Sequence, residues 1–115
     1  MFKSVMSKLM GGGAQETDVA TVVEGLAAGT ITVVDVREQD EWRAGHIRGA
    51  IHIPLGSLGE RTAKIDRSKP VVTVCRSGMR SLRGADTLRA AGFEDVRSMA
   101  GGMNAWVSAR QPVAR

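Results

Sequence analysis

The chain has 115 residues, 43% of them hydrophobic and 24% charged, which is enough for one folded domain and too few for two. No apolar run approaches the roughly 20 residues that cross a bilayer, so we predict no transmembrane segment. The net charge of +4 comes without a block of consecutive basic residues and without tyrosine, which disfavours nucleic-acid binding. Either a small anionic substrate or an ordinary solvated surface accounts for the positive balance.

The single cysteine excludes an intramolecular disulfide and a cysteine zinc cluster. The N-terminus lacks the continuous apolar stretch of a secretory leader. A cytoplasmic, reducing location is therefore our expectation.

The first 14 residues differ from the rest of the chain. Phe2, Val5, Met6 and Leu9 follow helical spacing, and a run of three glycines at 11–13 then forms a linker. We predict a flexible amphipathic segment over 1–14 and a folded domain over 15–115. A fraying terminal turn is favoured over a helix that binds a membrane surface or a partner.

Helices and short apolar strands alternate along the domain. Predicted helices cover 19–27, 38–44, 79–91 and 103–109. Predicted strands cover 31–36, 50–53, 71–74 and 96–99. This alternation predicts an α/β fold in which a mostly parallel sheet has helices on both faces. Ligands bind beyond the carboxyl ends of strands in such sheets, and Cys75 directly follows the strand 71–74.

The segment after that strand, Cys-Arg-Ser-Gly-Met-Arg-Ser at 75–81, is the candidate site and is called the cysteine loop below. The nucleophile is a thiolate, and a free cysteine ionises only near pH 8.5. The N-terminus of the following helix, together with Arg76 and Arg80, favours the anion. Gly78 allows the backbone to curl so that successive N–H groups face one point. The alternative is that Cys75 is an ordinary buried side chain.

Four segments of the sequence, in order, resemble the rhodanese family. They are Asp-Val-Arg-Glu at 35–38, Gly-His-Ile-Arg-Gly-Ala at 45–50 continuing to Ile-Pro-Leu at 53–55, the cysteine loop, and Gly-Gly at 101–102 followed by Trp106. The resemblance covers nearly all of residues 17–110. It implies a rhodanese-like fold around a central parallel sheet of four or five strands.

The resemblance also implies a function. Cys75 would carry sulfur as a persulfide, taken from a small anionic donor such as thiosulfate and passed to cyanide, a thiol or a protein acceptor. The loop residues would bind substrate. Their backbone N–H groups would surround the sulfur, and Arg80 would contact the donor, with Arg76 as a second candidate for that contact. These residues are Arg76, Ser77, Gly78, Met79 and Arg80. No cofactor and no metal is implied.

Two other functions stay open. One is a noncatalytic rhodanese-like interaction module, which an intact cysteine and a basic loop argue against. The other is a phosphatase or arsenate reductase, whose related loops place arginine six residues after cysteine. Ser81 occupies that position here and Arg80 lies one residue earlier, so the shorter loop favours sulfur chemistry.

Other polar residues near strand ends have mainly structural interpretations. Asp35 and Arg37 either line the pocket or pair with each other. Glu38 and Glu41 are expected on an exposed helix face. His46 and His52 lack further ligands at useful spacing and are expected to be structural rather than metal-binding.

Overall fold

The computed structural model describes residues 15–115, so the predicted segment 1–14 lies outside the described residues. Five strands form one parallel sheet in the order β1-β5-β4-β2-β3. The strands are β1 (Glu16–Thr17), β2 (Thr32–Asp35), β3 (Ile51–His52), β4 (Val71–Val74) and β5 (Val96–Met99). The parallel sheet predicted from the sequence is confirmed, and β1 is the strand that the apolar pattern missed because it has only two residues.

The connections between strands contain the helices. These are α1 (Val19–Ala28), α2 (Gln39–Ala44), α3 (Leu55–Leu58), α4 (Met79–Ala90) and α5 (Gly102–Ser108), with a 3-10 turn at Thr62–Lys64. Local chemistry fixes their ends. The Asp18 carboxylate accepts a hydrogen bond from the Thr21 N–H at 2.9 Å and so caps α1. After α4, Gly92 adopts φ 98° and the Phe93 N–H donates to the Leu88 carbonyl at 3.0 Å, which ends the helix.

Alternate residues of the central strands point to opposite faces of the sheet, and each face has its own apolar cluster. One cluster joins Val34 and Val36 of the β2 region to Leu58 of α3 and Leu88 of α4. The other includes Val33, Val72 and Val74 together with Val22 of α1, Met103 and Trp106 of α5. Helices therefore cover both faces, which explains why the central strands β2 and β4 are largely apolar.

The topology puts β4 between β5 and β2, so β4 is the central strand. Its carboxyl end therefore lies in the middle of the row formed by the carboxyl ends of the five strands. Cys75 leaves the sheet at that point. None of the helices formed by residues 15–115 is long and apolar enough to cross a membrane.

Candidate active site

Cys75 lies at the junction of β4 and the cysteine loop, with 1% of its surface exposed. The next two residues, Arg76 and Ser77, are exposed, and α4 begins at Met79. Gly78 precedes the helix with φ 111°, a backbone conformation that side chains rarely adopt. The turn that glycine permits brings the start of a 12-residue helix against the sulfur.

Two polar groups contact the cysteine sulfur, and a third supports one of them. The Gly78 N–H donates to Sγ at 3.1 Å, and the thiol lies 3.4 Å from the Ser81 hydroxyl oxygen. Ser81 Oγ in turn lies 2.6 Å from Ser98 Oγ and donates to the Gly78 carbonyl at 3.2 Å. Because a serine hydroxyl can donate as well as accept, Ser81 can accept from the thiol or, after rotation, donate to the thiolate.

These contacts change the pKa of Cys75. Burial raises the pKa of the thiol, but hydrogen bonds from the Ser81 hydroxyl and from the backbone N–H groups of Ser81, Gly78 and Ser77 lower it by more. The net result is a thiol pKa below the ordinary value. The N-terminus of α4 acts in the same direction, because its partial positive charge favours an anion. The site therefore stabilises a negatively charged sulfur.

Arg80 does not point free into solvent but pairs with Glu41 of α2. Its two terminal nitrogens donate to the two carboxylate oxygens at 2.7 and 2.8 Å. This bidentate pair lowers the pKa of Glu41 to about 2, mainly through the hydrogen bonds from Arg80, and raises the pKa of Arg80. The expectation of an exposed face is thus wrong for Glu41, which is half-buried, because the sheet brings α2 against the cysteine loop. The expectation of an exposed position is confirmed for Glu38.

Asp35 and Arg37 pair with each other at the end of β2. Both are buried, at 1% and 6% exposure, and the guanidinium donates to the carboxylate at 2.8–3.1 Å. Arg37 also donates to the Gly45 carbonyl at 2.7 Å. A buried ion pair of this kind needs every hydrogen bond satisfied, since each charge alone would be costly to bury. The pair joins the end of β2 to the end of α2, and Arg37 also borders the groove described below.

The two glycines at 101 and 102 bring α5 against the cysteine loop. Gly102 has φ 54°, and a methyl group there would overlap the Cys75 carbonyl oxygen and lie 2.6 Å from the Arg76 carbonyl carbon. The close approach lets the Met103 N–H donate to the Cys75 carbonyl at 2.8 Å and the Asn104 N–H donate to the Arg76 carbonyl at 3.0 Å. The loop is therefore fixed from both sides, by α4 and by α5.

The histidines lie in a stack with Trp42. His46 is 3.6 Å and His52 4.8 Å from the tryptophan ring, measured between ring centres. His46 Nδ1 bonds the Trp42 carbonyl and His52 Nε2 bonds the Arg37 carbonyl, each at 2.8 Å. Within residues 15–115 no three potential metal ligands of the His, Cys, Asp or Glu types come together.

Of the predicted site residues, Gly78 and Ser77 direct backbone N–H groups to the Cys75 sulfur, whereas Arg80 pairs with Glu41 and Asp35 pairs with Arg37. The sequence analysis missed Ser98 of β5 and quoted Ser81 only as part of a motif. The available signal was the position of a serine at the first turn of the helix after the cysteine. Ser98 carried no such signal, because its contact depends on the pairing of β5 with β4.

With this geometry, comparison with known proteins identifies the class. Residues 18–109 match the family model for the rhodanese-like domain. The chain belongs to the rhodanese-like family.

Particular relatives include single-domain sulfurtransferases. The thiosulfate sulfurtransferase GlpE of Coxiella burnetii is 38% identical over 76 residues, which is 66% of this chain and 71% of GlpE. The structure of the human single-domain sulfurtransferase TSTD1 superposes with a TM-score of 0.72 at 27% identity, covering 84% of this chain and 97% of TSTD1.

Other similar proteins are longer or less alike in sequence. YqhL of Bacillus subtilis, an uncharacterized protein, is 42% identical over 74 residues, which is 64% of this chain and 59% of YqhL. This chain thus spans little more than half of that relative. A Rhodopseudomonas palustris protein described as a possible tyrosine phosphatase has a TM-score of 0.79, 24% identity and coverage of 96% of this chain and 92% of its own. At that identity the likeness shows the fold alone.

Proposed function

We propose that this protein is a sulfurtransferase that carries sulfane sulfur as a persulfide on Cys75. The main support is the arrangement around Sγ, where backbone N–H groups and a serine hydroxyl stabilise an anion at the end of a central strand. A persulfide, Cys–S–S⁻, is an anion as well, so a site that stabilises the thiolate suits the loaded form of the protein. The exposed Arg76 and the start of α4 would attract an anionic donor.

The reaction consists of two displacements. With thiosulfate as donor, the Cys75 thiolate attacks the outer sulfur, a new S–S bond forms, and sulfite leaves with the electron pair of the broken bond. An acceptor thiolate or cyanide then attacks the outer sulfur of the persulfide and restores the Cys75 thiolate. Both leaving groups are stable anions, so neither step needs a histidine to protonate them. This scheme predicts ping-pong kinetics.

The contacts of Arg80 favour sulfur transfer over phosphoryl transfer. Both of its terminal nitrogens are engaged by Glu41, so the guanidinium is not free to bind an oxyanion in a fork. The donor contact that we predict for Arg80 would therefore be electrostatic, or would require the pair to open. A reducing, cytoplasmic location fits a function that depends on a free thiol.

Intact-mass measurement tests the proposal directly. The protein and its Cys75→Ser variant are compared before and after incubation with thiosulfate, and again after cyanide. We expect the native chain alone to gain one sulfur atom and to lose it as thiocyanate. Because the chain has one cysteine, the variant is free of thiols and reports any adduct formed elsewhere.

Two results would count against the proposal. If neither thiosulfate nor a low-molecular-weight persulfide loads Cys75, sulfur transfer from these donors is refuted. If the protein hydrolyses an aryl phosphate, and loses that activity in Cys75→Ser, oxyanion chemistry replaces sulfur transfer as the function.

A further inference from the structure

A groove of about 440 Å³ runs alongside the cysteine loop. Its walls come from the end of α2, the exposed side of α5 and the C-terminal residues 113–115. It begins one residue from the nucleophile, because Arg76 is in its wall and Met103, also in the wall, donates its N–H to the Cys75 carbonyl at 2.8 Å. Its volume is within the range typical of small-molecule sites.

The C-terminal wall of the groove is held in place. Residue 114 forms an antiparallel bridge with His46, with backbone hydrogen bonds of 2.8 and 2.9 Å. The Arg115 Nε donates to the Ala44 carbonyl at 3.0 Å, which joins two residues of the groove wall. The groove therefore has a defined shape rather than being a gap between loose segments.

The charges in the groove differ in whether they are already compensated. Arg37 is paired with Asp35, and Glu41 is paired with Arg80. Within the described part of the chain, Arg76 and Arg115 form no ion pair with a carboxylate side chain. An anion in the groove would thus meet two guanidinium groups that have no carboxylate side chain as partner, while the one carboxylate side chain in the wall, Glu41, is already paired with Arg80.

The rest of the wall is apolar. Val113 and Met103 pack in the cluster beneath it, and Val107 is 57% exposed on α5. Over residues 15–115, the exposed large apolar side chains are Val107 in this groove and Met79 in the cysteine loop. A ligand with an apolar part in the groove would cover Val107.

From this combination we infer that the groove binds the sulfur acceptor, and that the acceptor is a small thiol with a carboxylate on an apolar tether. The carboxylate lies between Arg76 and Arg115, the tether lies against Val107 and Val113, and the thiolate faces the persulfide. This inference rests on the proposed function, since it names the acceptor for the second displacement. In that step the acceptor thiolate bonds to the outer sulfur, the bond between the two sulfurs breaks, and Cys75 regains a thiolate.

The test uses protein first loaded with sulfur and then separated from the donor. Loss of the persulfide is followed by rapid-quench intact mass with mercaptopropionate and with mercaptopropanol, an uncharged acceptor of equal length. Rates are corrected for the thiolate fraction of each acceptor. We expect the carboxylate acceptor to react about threefold to tenfold faster, as for a charge-assisted contact at a partly exposed site. Added salt should reduce the preference.

Variants assign the preference to the groove. Arg76→Gln and Arg115→Gln should each reduce the preference for the carboxylate acceptor, whereas Arg61→Gln, at an exposed arginine outside the groove, should leave it unchanged. Mercaptohexanoate has a longer apolar tether than mercaptopropionate, and Val107→Ser should remove any difference in rate between these two acceptors. The preference for a carboxylate over an uncharged acceptor should remain. Thermal unfolding of each variant checks that the fold is retained.

The outcomes separate this inference from the proposed function. Equal rates for the charged and uncharged acceptors, or a preference that survives both arginine variants, would overturn the acceptor site while leaving the persulfide intact. A chain that accepts no sulfur from any donor would overturn both. A preference that is lost equally in Arg61→Gln would show a general charge effect and would also refute the groove.

Discussion

The ion pair between Glu41 and Arg80 provides the sharpest test of the structure, through the Glu41→Gln substitution. Glutamine removes the charge but retains an oxygen that can accept the Glu38 N–H, a bond of 3.0 Å that forms part of the cap of α2. The variant therefore isolates the ion pair from the helix cap. Arg80 would lose its carboxylate partner, and α2 would be held less firmly against the cysteine loop.

The magnitude follows from the pKa of Glu41. A pKa of about 2 against the ordinary 4.5 corresponds to at most about 3.5 kcal/mol, at about 1.4 kcal/mol per pH unit. The side chains of Arg80 and Glu41 retain 34% and 23% of their exposure, so water screens the pair. We therefore expect the substitution to lower the free energy of unfolding by about 1–2 kcal/mol near neutral pH.

The same pair gives a pH dependence of definite sign. The carboxyl has a lower pKa in the folded state, so its contribution is fully present above about pH 5 and is lost as the pH falls towards 2. Urea unfolding of the native chain and of Glu41→Gln, measured from about pH 7 to pH 3, should give curves that converge in acid. Glu24→Gln, at an exposed position on α1, is the control.

The result that would refute this reasoning is a constant difference between native and Glu41→Gln across that pH range. A double-mutant cycle with Arg80→Gln adds a second check, because the two single substitutions should not be additive if the side chains interact. Additive effects would mean that the pair contributes nothing measurable in solution.

Three further substitutions test the rest of the site. Ser81→Ala should raise the thiol pKa, because the thiolate loses a hydroxyl donor, and the pH dependence of iodoacetamide alkylation measures the change. Gly102→Ala should cost about 2–4 kcal/mol of unfolding free energy, since its methyl group meets backbone, whereas Gly29→Ala, with φ 69° but open space, should cost about 1–2 kcal/mol. Asp35→Ala should cost about 3–5 kcal/mol by leaving the Arg37 guanidinium buried and unpaired.

Each of these has an outcome that would contradict it. An unchanged alkylation profile in Ser81→Ala would show that the Ser81 hydroxyl does not stabilise the thiolate. Equal costs for the two glycine substitutions would mean that the close approach of α5 is not rigid. For the buried pair, replacing Arg37 by methionine together with Asp35→Ala should recover much of the loss, and a failure to recover would point to packing rather than charge.

The amino-acid sequence by itself determined the fold class and the position of the candidate nucleophile. The apolar runs of β2 and β4, alternating with helical patterns, predict a sheet covered on both faces, because such an arrangement buries both sides of each strand. Cys75 follows one of these runs directly, and Gly78 marks the turn into α4. Both signals are local, so they can be read from neighbouring residues.

Only the tertiary structure decided which distant residues meet at the sulfur. Ser98 reaches Ser81 because β5 pairs with β4, and Glu41 reaches Arg80 across 39 positions of sequence because α2 packs beside the cysteine loop. Hydrophobic patterns and secondary-structure propensities describe each segment alone and do not predict which distant segments come into contact. The charge on Arg80 was visible in the sequence, but whether that charge is free for a substrate depends on a partner that folding alone supplies.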